Sequence, residues 1–262
     1  MPNFATPETV LRKINGFYYD SDFSNIKLDA NRLCELSDQY NKLLIKPSIE
    51  SGGGSSVLLF ERENGSFYSK GQKLDDKFLL NYNCDFIMQK YIEQHPFFKQ
   101  FNPNASNTLR VFLYRSVKDD RIHVLHNLLR IGAKNTFLDH DHLGGIAIAM
   151  DEKGYFNDCA YNITGKAYKS YNGVEFGRLP SCPFIIPINK MAKEIAKNIF
   201  YARLLALDFT VNKSGQPLLI EINCWRNGVN QYQMNNGTLF KEFTTEILEY
   251  CKTKEPRYIY KL

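Results

Sequence analysis

The 262-residue sequence contains no run approaching the roughly 18 consecutive apolar residues of a membrane-spanning helix. Its opening, MPNFATPETV, lacks the basic and apolar regions of an export signal. These absences lead to the expectation of a soluble, cytoplasmic chain. There is no CxxC pair. Cys34, Cys84, Cys159, Cys182, Cys224 and Cys251 stand singly, which argues against a zinc site and a disulfide framework and predicts reduced, mostly buried thiols. The formal charge is +5, but Lys and Arg are scattered, so no basic run marks a nucleic-acid footprint. Internal repeats, a Walker A GxxxxGK[ST] and a Rossmann GxGxxG are all missing. What remains, 44% hydrophobic and 23% charged, is a globular balance with enough chain for one large core or two modest ones.

Residues 1–42 read as a lead-in: Pro-containing coil, a turn at Asn15-Gly16, and a helix after Asp29, whose carboxylate can cap the first free amides. From residue 43 onward, β-favouring runs at 43–46, 56–61, 84–91, 108–115, 121–131, 145–150 and 155–161 alternate with Gly, Asn, Asp and Pro. This predicts mainly antiparallel sheet. Ile188, Met191, Ala192, Ile195, Ala196, Ile199 and Phe200 recur at helical spacing and predict a helix with one apolar face. Strands at 205–211 and 217–223 are expected to form a hairpin through Asn212-Lys213-Ser214-Gly215-Gln216, followed by a closing helix within 238–250. The expected class is α+β.

Two constellations carry chemistry. In LLIKPSIESGGGSSVLLF, residues 43–60, a strand delivers Lys46 to the edge of Ser51-Gly52-Gly53-Gly54-Ser55-Ser56. Three glycines allow positive φ and close approach, so backbone amides there can converge on phosphate oxygens while Lys46 supplies a short-range positive charge. Taken alone, the glycine run more readily suits a flexible hairpin loop with a solvated lysine. In LDFTVNKSGQPLLIEIN, Asp208 lies on one strand of the hairpin, and Glu221 and Asn223 lie 13 and 15 residues later on the other. Glu221 and Asn223, two apart, share a strand face that Asp208 can oppose. Two carboxylates and an amide carbonyl are hard oxygen donors suited to Mg²⁺.

Together, xIKPSxxSGGGSSV and LDxxxxxxGxxxxIEIN resemble the ATP-grasp superfamily, and the offsets from Asp208 are similar to the metal-ligand spacing of D-alanine–D-alanine ligases. FIMQKYIEQHP, FNPNASNTLRVFLYR, LLRIG and a GGI after Asp139-His140-Asp141-His142 sharpen a resemblance to the sugar-transfer-associated ATP-grasp family of bacterial polysaccharide genes. The resemblance implies an ATP-grasp fold, two α+β subdomains with mainly antiparallel sheets sandwiching ATP. The small one would span 43–92, with glycine loop and hinge, and the large one 93–262, with the metal site. ATP and Mg²⁺ are the implied cofactors. Lys46, Ser48 and the 51–55 loop would contact phosphates. Gln89, Lys90, Tyr91 and Ile92 would form the hinge strand pairing with adenine, with Gln94 or His95 near the ribose. Asp208, Glu221 and Asn223 would hold Mg²⁺. Arg110, Arg130 and Arg226 would stabilise charge on the phosphoryl group or a bound carboxylate. Taken alone, Arg110 and Arg130 equally suit ordinary surface or ion-pair arginines, and the 139–142 run, although it invites a metal reading, has no second ligand cluster.

Two departures accompany the resemblance. Ala206 stands where related ligases place an arginine, and the usual N-terminal lobe with its second nucleotide-contacting lysine is expected to be absent from residues 1–262. The expected activity is ATP-dependent carboxylate–amine ligation through an acylphosphate, on small-molecule partners, one of them a sugar or uronic acid. Phosphorylation of a hydroxyl, or nucleotide binding without turnover, stay open. A partner chain or dimer completing the lobe is compatible with the departures.

Overall fold

A computed structural model describes residues 4–48, 57–134, 136–139, 144–225 and 227–254. The chain divides into two compact units, Thr6–Glu93 and Met1–Ala5 with Gln94–Leu262.

The Thr6–Glu93 unit holds β1 (Thr9–Ile14), β2 (Phe17–Tyr19), β3 (Asn25–Ile26), α1 (Ala30–Ser37), β4 (Lys42–Pro47), β5 (Leu58–Glu63), β6 (Ser66–Ser69), β7 (Gln72–Lys73), α2 (Asp76–Asn81) and β8 (Phe86–Lys90). Its strands form one sheet in the order β3-β2-β1-β8-β4-β5-β6-β7, antiparallel throughout. Asn15-Gly16 and Asn64-Gly65 close tight hairpins with positive φ at both residues, a geometry that Asn and Gly adopt at least cost. Asp29 and Asp75 cap α1 and α2 by accepting from the Arg32 and Phe78 amides. Leu11, Leu43, Ile45, Phe60, Leu79, Phe86 and Met88 form the buried core.

Residues 6–42, expected as a lead-in, therefore belong to this unit. β1 lies inside the sheet, paired with β2 and β8. Only Val10 and Leu11 of β1 are buried, too short an apolar run to declare a strand in sequence.

The second unit comprises α3 (Pro96–Lys99), β9 (Thr108–Arg115), β10 (Ile122–Ile131), β11 (Ile146–Met150), β12 (Ala160–Asn162), β13 (Ala167–Tyr168), β14 (Ser170–Tyr171), β15 (Val174–Glu175), α4 (Ile185–Lys197), β16 (Leu204–Val211), β17 (Pro217–Asn223), α5 (Asn230–Asn236) and α6 (Thr244–Lys252). Its main sheet runs β13-β12-β11-β10-β9-β16-β17, again antiparallel, and β14 pairs with β15 alone.

Alternation along the strands gives the main sheet two unlike faces. On one, Leu109, Val111, Leu129, Ile148, Leu207 and Phe209 pack against the apolar stripe of α4. On the other, Phe112, Tyr114, Leu128 and Ala206 cluster with Tyr232 of α5 and the start of α6. Glu246 of α6 fastens that cover to the end of β9, accepting from Tyr114 Oη, Ser116 Oγ and the Val117 amide, each at 2.8 Å. The expected hairpin, β16 to β17, is present, with a bulge beside Asp208. The α4 helix ends before Ile199 and Phe200, and Phe200 is 79% exposed. Of the 155–161 strand only the end forms, as β12, with Phe156 making an isolated bridge to Met150. The thiols also differ from expectation. Cys182 is buried, whereas Cys34, Cys84 and Cys251 are exposed, because an isolated cysteine carries no periodicity that fixes its side. Among the described residues no helix is long and apolar enough to cross a membrane.

Candidate active site

The polar end of the main sheet is built by register. Asp208 on β16 stands directly opposite Arg110 on β9 and opposite Glu221 on β17, while Arg130 on β10 pairs with Thr108 of β9. Thr108, Arg110, Arg130 and Asp208 therefore emerge on the face opposite α4. Arg110 Nε and Nη2 donate to Asp208 Oδ1 and Oδ2 at 2.7 and 2.6 Å. Arg130 Nη1 lies 3.5 Å from Asp208 Oδ2 and 3.8 Å from Asp139 Oδ1. Thr108 donates its hydroxyl to Asp139 Oδ2.

These charges are withdrawn from water: the side chains of Asp208, Arg130 and Arg110 are 3%, 11% and 16% exposed. Burial alone would lower the Arg110 pKa, but Asp208, with help from Asp139 and Glu221, overcomes it and raises it. At an effective dielectric of about 20, opposite charges about 4 Å apart attract by about 4 kcal/mol. Removing each ion from water costs several kcal/mol. The cluster consequently adds little net stability, and its value lies in holding two guanidiniums and a carboxylate in fixed positions.

The donor set fits Mg²⁺. Asp208 and Glu221 are register partners, and Asn223 follows two positions later. Among the described residues one terminal atom of the Asn223 amide, Nδ2, is buried without a hydrogen-bond partner. Rotating the carboxamide would put its oxygen there, an acceptor that a cation satisfies. Among the described residues no group of three or more His, Cys, Asp or Glu side chains could hold a metal, so any cation here needs the amide as well.

In the other unit, Lys46 is partly buried on β4 and opposes Ile87 of β8, while Leu44 opposes Gln89. Lys46 and Gln89 thus share the sheet face away from Leu43, Ile45 and Met88 of the core. Of the residues expected to form the hinge, Gln89 and Lys90 lie on β8, which is paired on both sides. The Lys90 amide donates to Glu8 O at 2.9 Å and the Tyr91 amide to Lys42 O at 3.1 Å. Among the described residues the Ile92 amide makes no backbone hydrogen bond. Ser48 gives its amide to Asp85 O at 2.9 Å. Ser51, Gly52, Gly53, Gly54, Ser55 and Arg226 lie outside the described residues.

Gln94, expected near a ribose, is held inside the larger unit. It is 3% exposed; its amide donates to Asn107 O (2.5 Å) and Thr210 Oγ1 (2.6 Å) and accepts from the Asn107 amide (2.9 Å). A glutamine between hinge and helix carries no sequence mark distinguishing these roles. Asp139 and Thr108 are the site residues that sequence reasoning missed. Asp139 lies nine residues beyond Arg130 across a loop, and only its place in the polar run hinted at it.

Residues 13–248 match the family model described as sugar-transfer associated ATP-grasp. No curated protein is detectably similar in sequence. Among solved structures, N5-carboxyaminoimidazole synthetase from Staphylococcus aureus, in complex with ADP, is similar with a TM-score of 0.50 and 8% identity over 88% of this chain and 43% of that one. The biotin carboxylase domain of Hydrogenobacter thermophilus 2-oxoglutarate carboxylase, with MgADP, ADP and bicarbonate, gives 0.50 and 14% over 97% and 43%. The chain spans less than half the length of either.

Proposed function

The chain belongs to the sugar-transfer associated ATP-grasp family and has the ATP-grasp fold, and on that premise we propose that it is an ATP- and Mg²⁺-dependent carboxylate–amine ligase, modifying a sugar or uronic acid in surface polysaccharide synthesis. One observation carries the reading: Asp208, Arg110 and Arg130 are gathered on one sheet face, with Glu221 in register. The structural neighbours' bound ADP and MgADP support a nucleotide site of this kind.

In this reading Lys46 and the 51–55 backbone bind ATP phosphates, and the Ile92 amide meets adenine. Asp208, Glu221 and Asn223 would hold Mg²⁺, which when bound supplies positive charge to the phosphate oxygens. A substrate carboxylate attacks the γ-phosphoryl, ADP leaves, and the acylphosphate is opened by an amine with release of phosphate. Arg110 and Arg130 neutralise the anionic charge of both steps from fixed positions. ADP and phosphate release that requires both a carboxylate and an amine is the expected result. ADP formation with phosphate retained on a hydroxyl product overturns ligation.

One observation favours a different second reading, nucleotide binding without turnover. Ala206 is fully buried in the apolar cluster with Phe112 and Tyr232, so the arginine that related ligases place there has no counterpart at this position.

A further inference from the structure

We propose that Asp139 is a positioning residue: it holds Arg130 in place so that the Asp208 carboxylate can turn to a divalent cation. The inference rests on the metal reading above.

Arg110, Asp208, Arg130 and Asp139 form a chain of alternating charge that sums to zero. Asp208 is held by Arg110 through both oxygens and approached by Arg130 from the side. A cation at Asp208 must compete with both guanidiniums. Arg130, in contrast, has a second counter-ion. Its Nη1 is shared between the two carboxylates at nearly equal distances, 3.5 and 3.8 Å, and its Nη2 donates to the Asp139 carbonyl at 3.4 Å. When Asp208 commits its charge to the cation, Asp139 keeps Arg130 neutralised and in place.

Asp139 is placed for that task by hydrogen bonds along the described residues that lead to it. Asn102 Nδ2 donates to the carbonyls of Gly132 and Ala133 at 2.9 and 2.8 Å, and the Ser106 amide to Phe137 O at 3.0 Å. Thr136 Oγ1 bonds Ala133 O and Leu138 O. A Cβ at Gly132 would fall 2.5 Å from both Leu138 O and Ala105 Cβ, so the loop closes back on the strand end only over a glycine. Thr108 then holds Asp139 through Oδ2, while Arg130 lies nearest Oδ1.

The test is Mn²⁺ binding to the full chain, read from the electron paramagnetic resonance of free Mn²⁺, in wild type, Asp139→Asn, Arg130→Met and the double variant. With its counter-ion neutralised, Arg130 leans on Asp208, so Asp139→Asn should weaken Mn²⁺ about three- to tenfold. Arg130→Met should tighten it, and the Asp139→Asn effect should vanish in the Arg130→Met background. Thr108→Val, which changes no charge, should weaken Mn²⁺ in the same direction as Asp139→Asn and serves if that variant does not fold. An Asp139→Asn effect of equal size with and without Arg130, or no effect, overturns the proposal and leaves the metal reading standing. Failure of the folded wild type to bind Mn²⁺ overturns both.

Discussion

Arg110 and Asp208 face each other across β9 and β16 and share two hydrogen bonds, at 2.7 and 2.6 Å, in a place where Asp208 is 2% exposed. Removing one partner strands a buried charge, whereas removing both leaves only a packing problem. Asp208→Ala should therefore cost about 3 kcal/mol, and Arg110→Met with Asp208→Leu should return to within about 1 kcal/mol of wild type. Urea unfolding of the single and double variants checks this; additive losses would show that the pair does not act as a unit.

Gln94, Asn107 and Thr210 form a closed polar knot inside the larger unit, with Asn107 Nδ2 also donating to Phe98 O and Asn102 O, both at 2.9 Å. Gln94→Leu leaves several of these groups unpaired and should destabilise by about 3 kcal/mol. Nucleotide affinity of the folded fraction should be unchanged, as calorimetry below the unfolding range can establish. A selective loss of ATP binding without loss of stability would restore the ribose role.

His126 is buried against the Tyr232 ring, with centroids 4.6 Å apart. Burial first, then Lys241, lowers its pKa to about 4 from an ordinary 6.5. The folded state thus prefers the neutral imidazole and binds fewer protons than the unfolded chain. Its contribution, up to about 3 kcal/mol, is complete above pH 6.5 and is lost as the pH falls toward 4. Stability measured between pH 7 and 4 should decline, and His126→Gln should flatten the slope. An unaltered slope would assign the decline to other groups.

Gly132→Ala places a Cβ 2.5 Å from a backbone oxygen that cannot rotate away. A loss of about 2 kcal/mol is expected from overpacking. Loss of the Arg130 contacts should follow, because the displaced loop carries Asp139. Thermal unfolding together with the Mn²⁺ titration reads both effects, and a variant of wild-type stability contradicts the close packing.

The hairpin bearing Asp208, Glu221 and Asn223 was legible because strand alternation and a short turn are local, and the 108–115 strand coincides with β9 for the same reason. The Arg110–Asp208 pair was not. The residues are 98 positions apart, and only the β9–β16 register brings them together. The strand at Thr9–Ile14 was hidden by its two-residue apolar signal. The α4 boundary was misplaced because Ile199 and Phe200 continue the helical spacing after the backbone has left the helix. Asp139 depended on a loop closure that no spacing rule encodes.

The proposed site binds nucleotide through a cation held on β16 and β17. Calorimetric titration of the full chain with ATP, with Mg²⁺ and with excess chelator, in wild type and Glu221→Gln, tests it most directly. Binding that needs Mg²⁺ and weakens at least about tenfold in Glu221→Gln is expected. Binding of equal strength in chelator and in the variant, or none in the folded wild type, would contradict it.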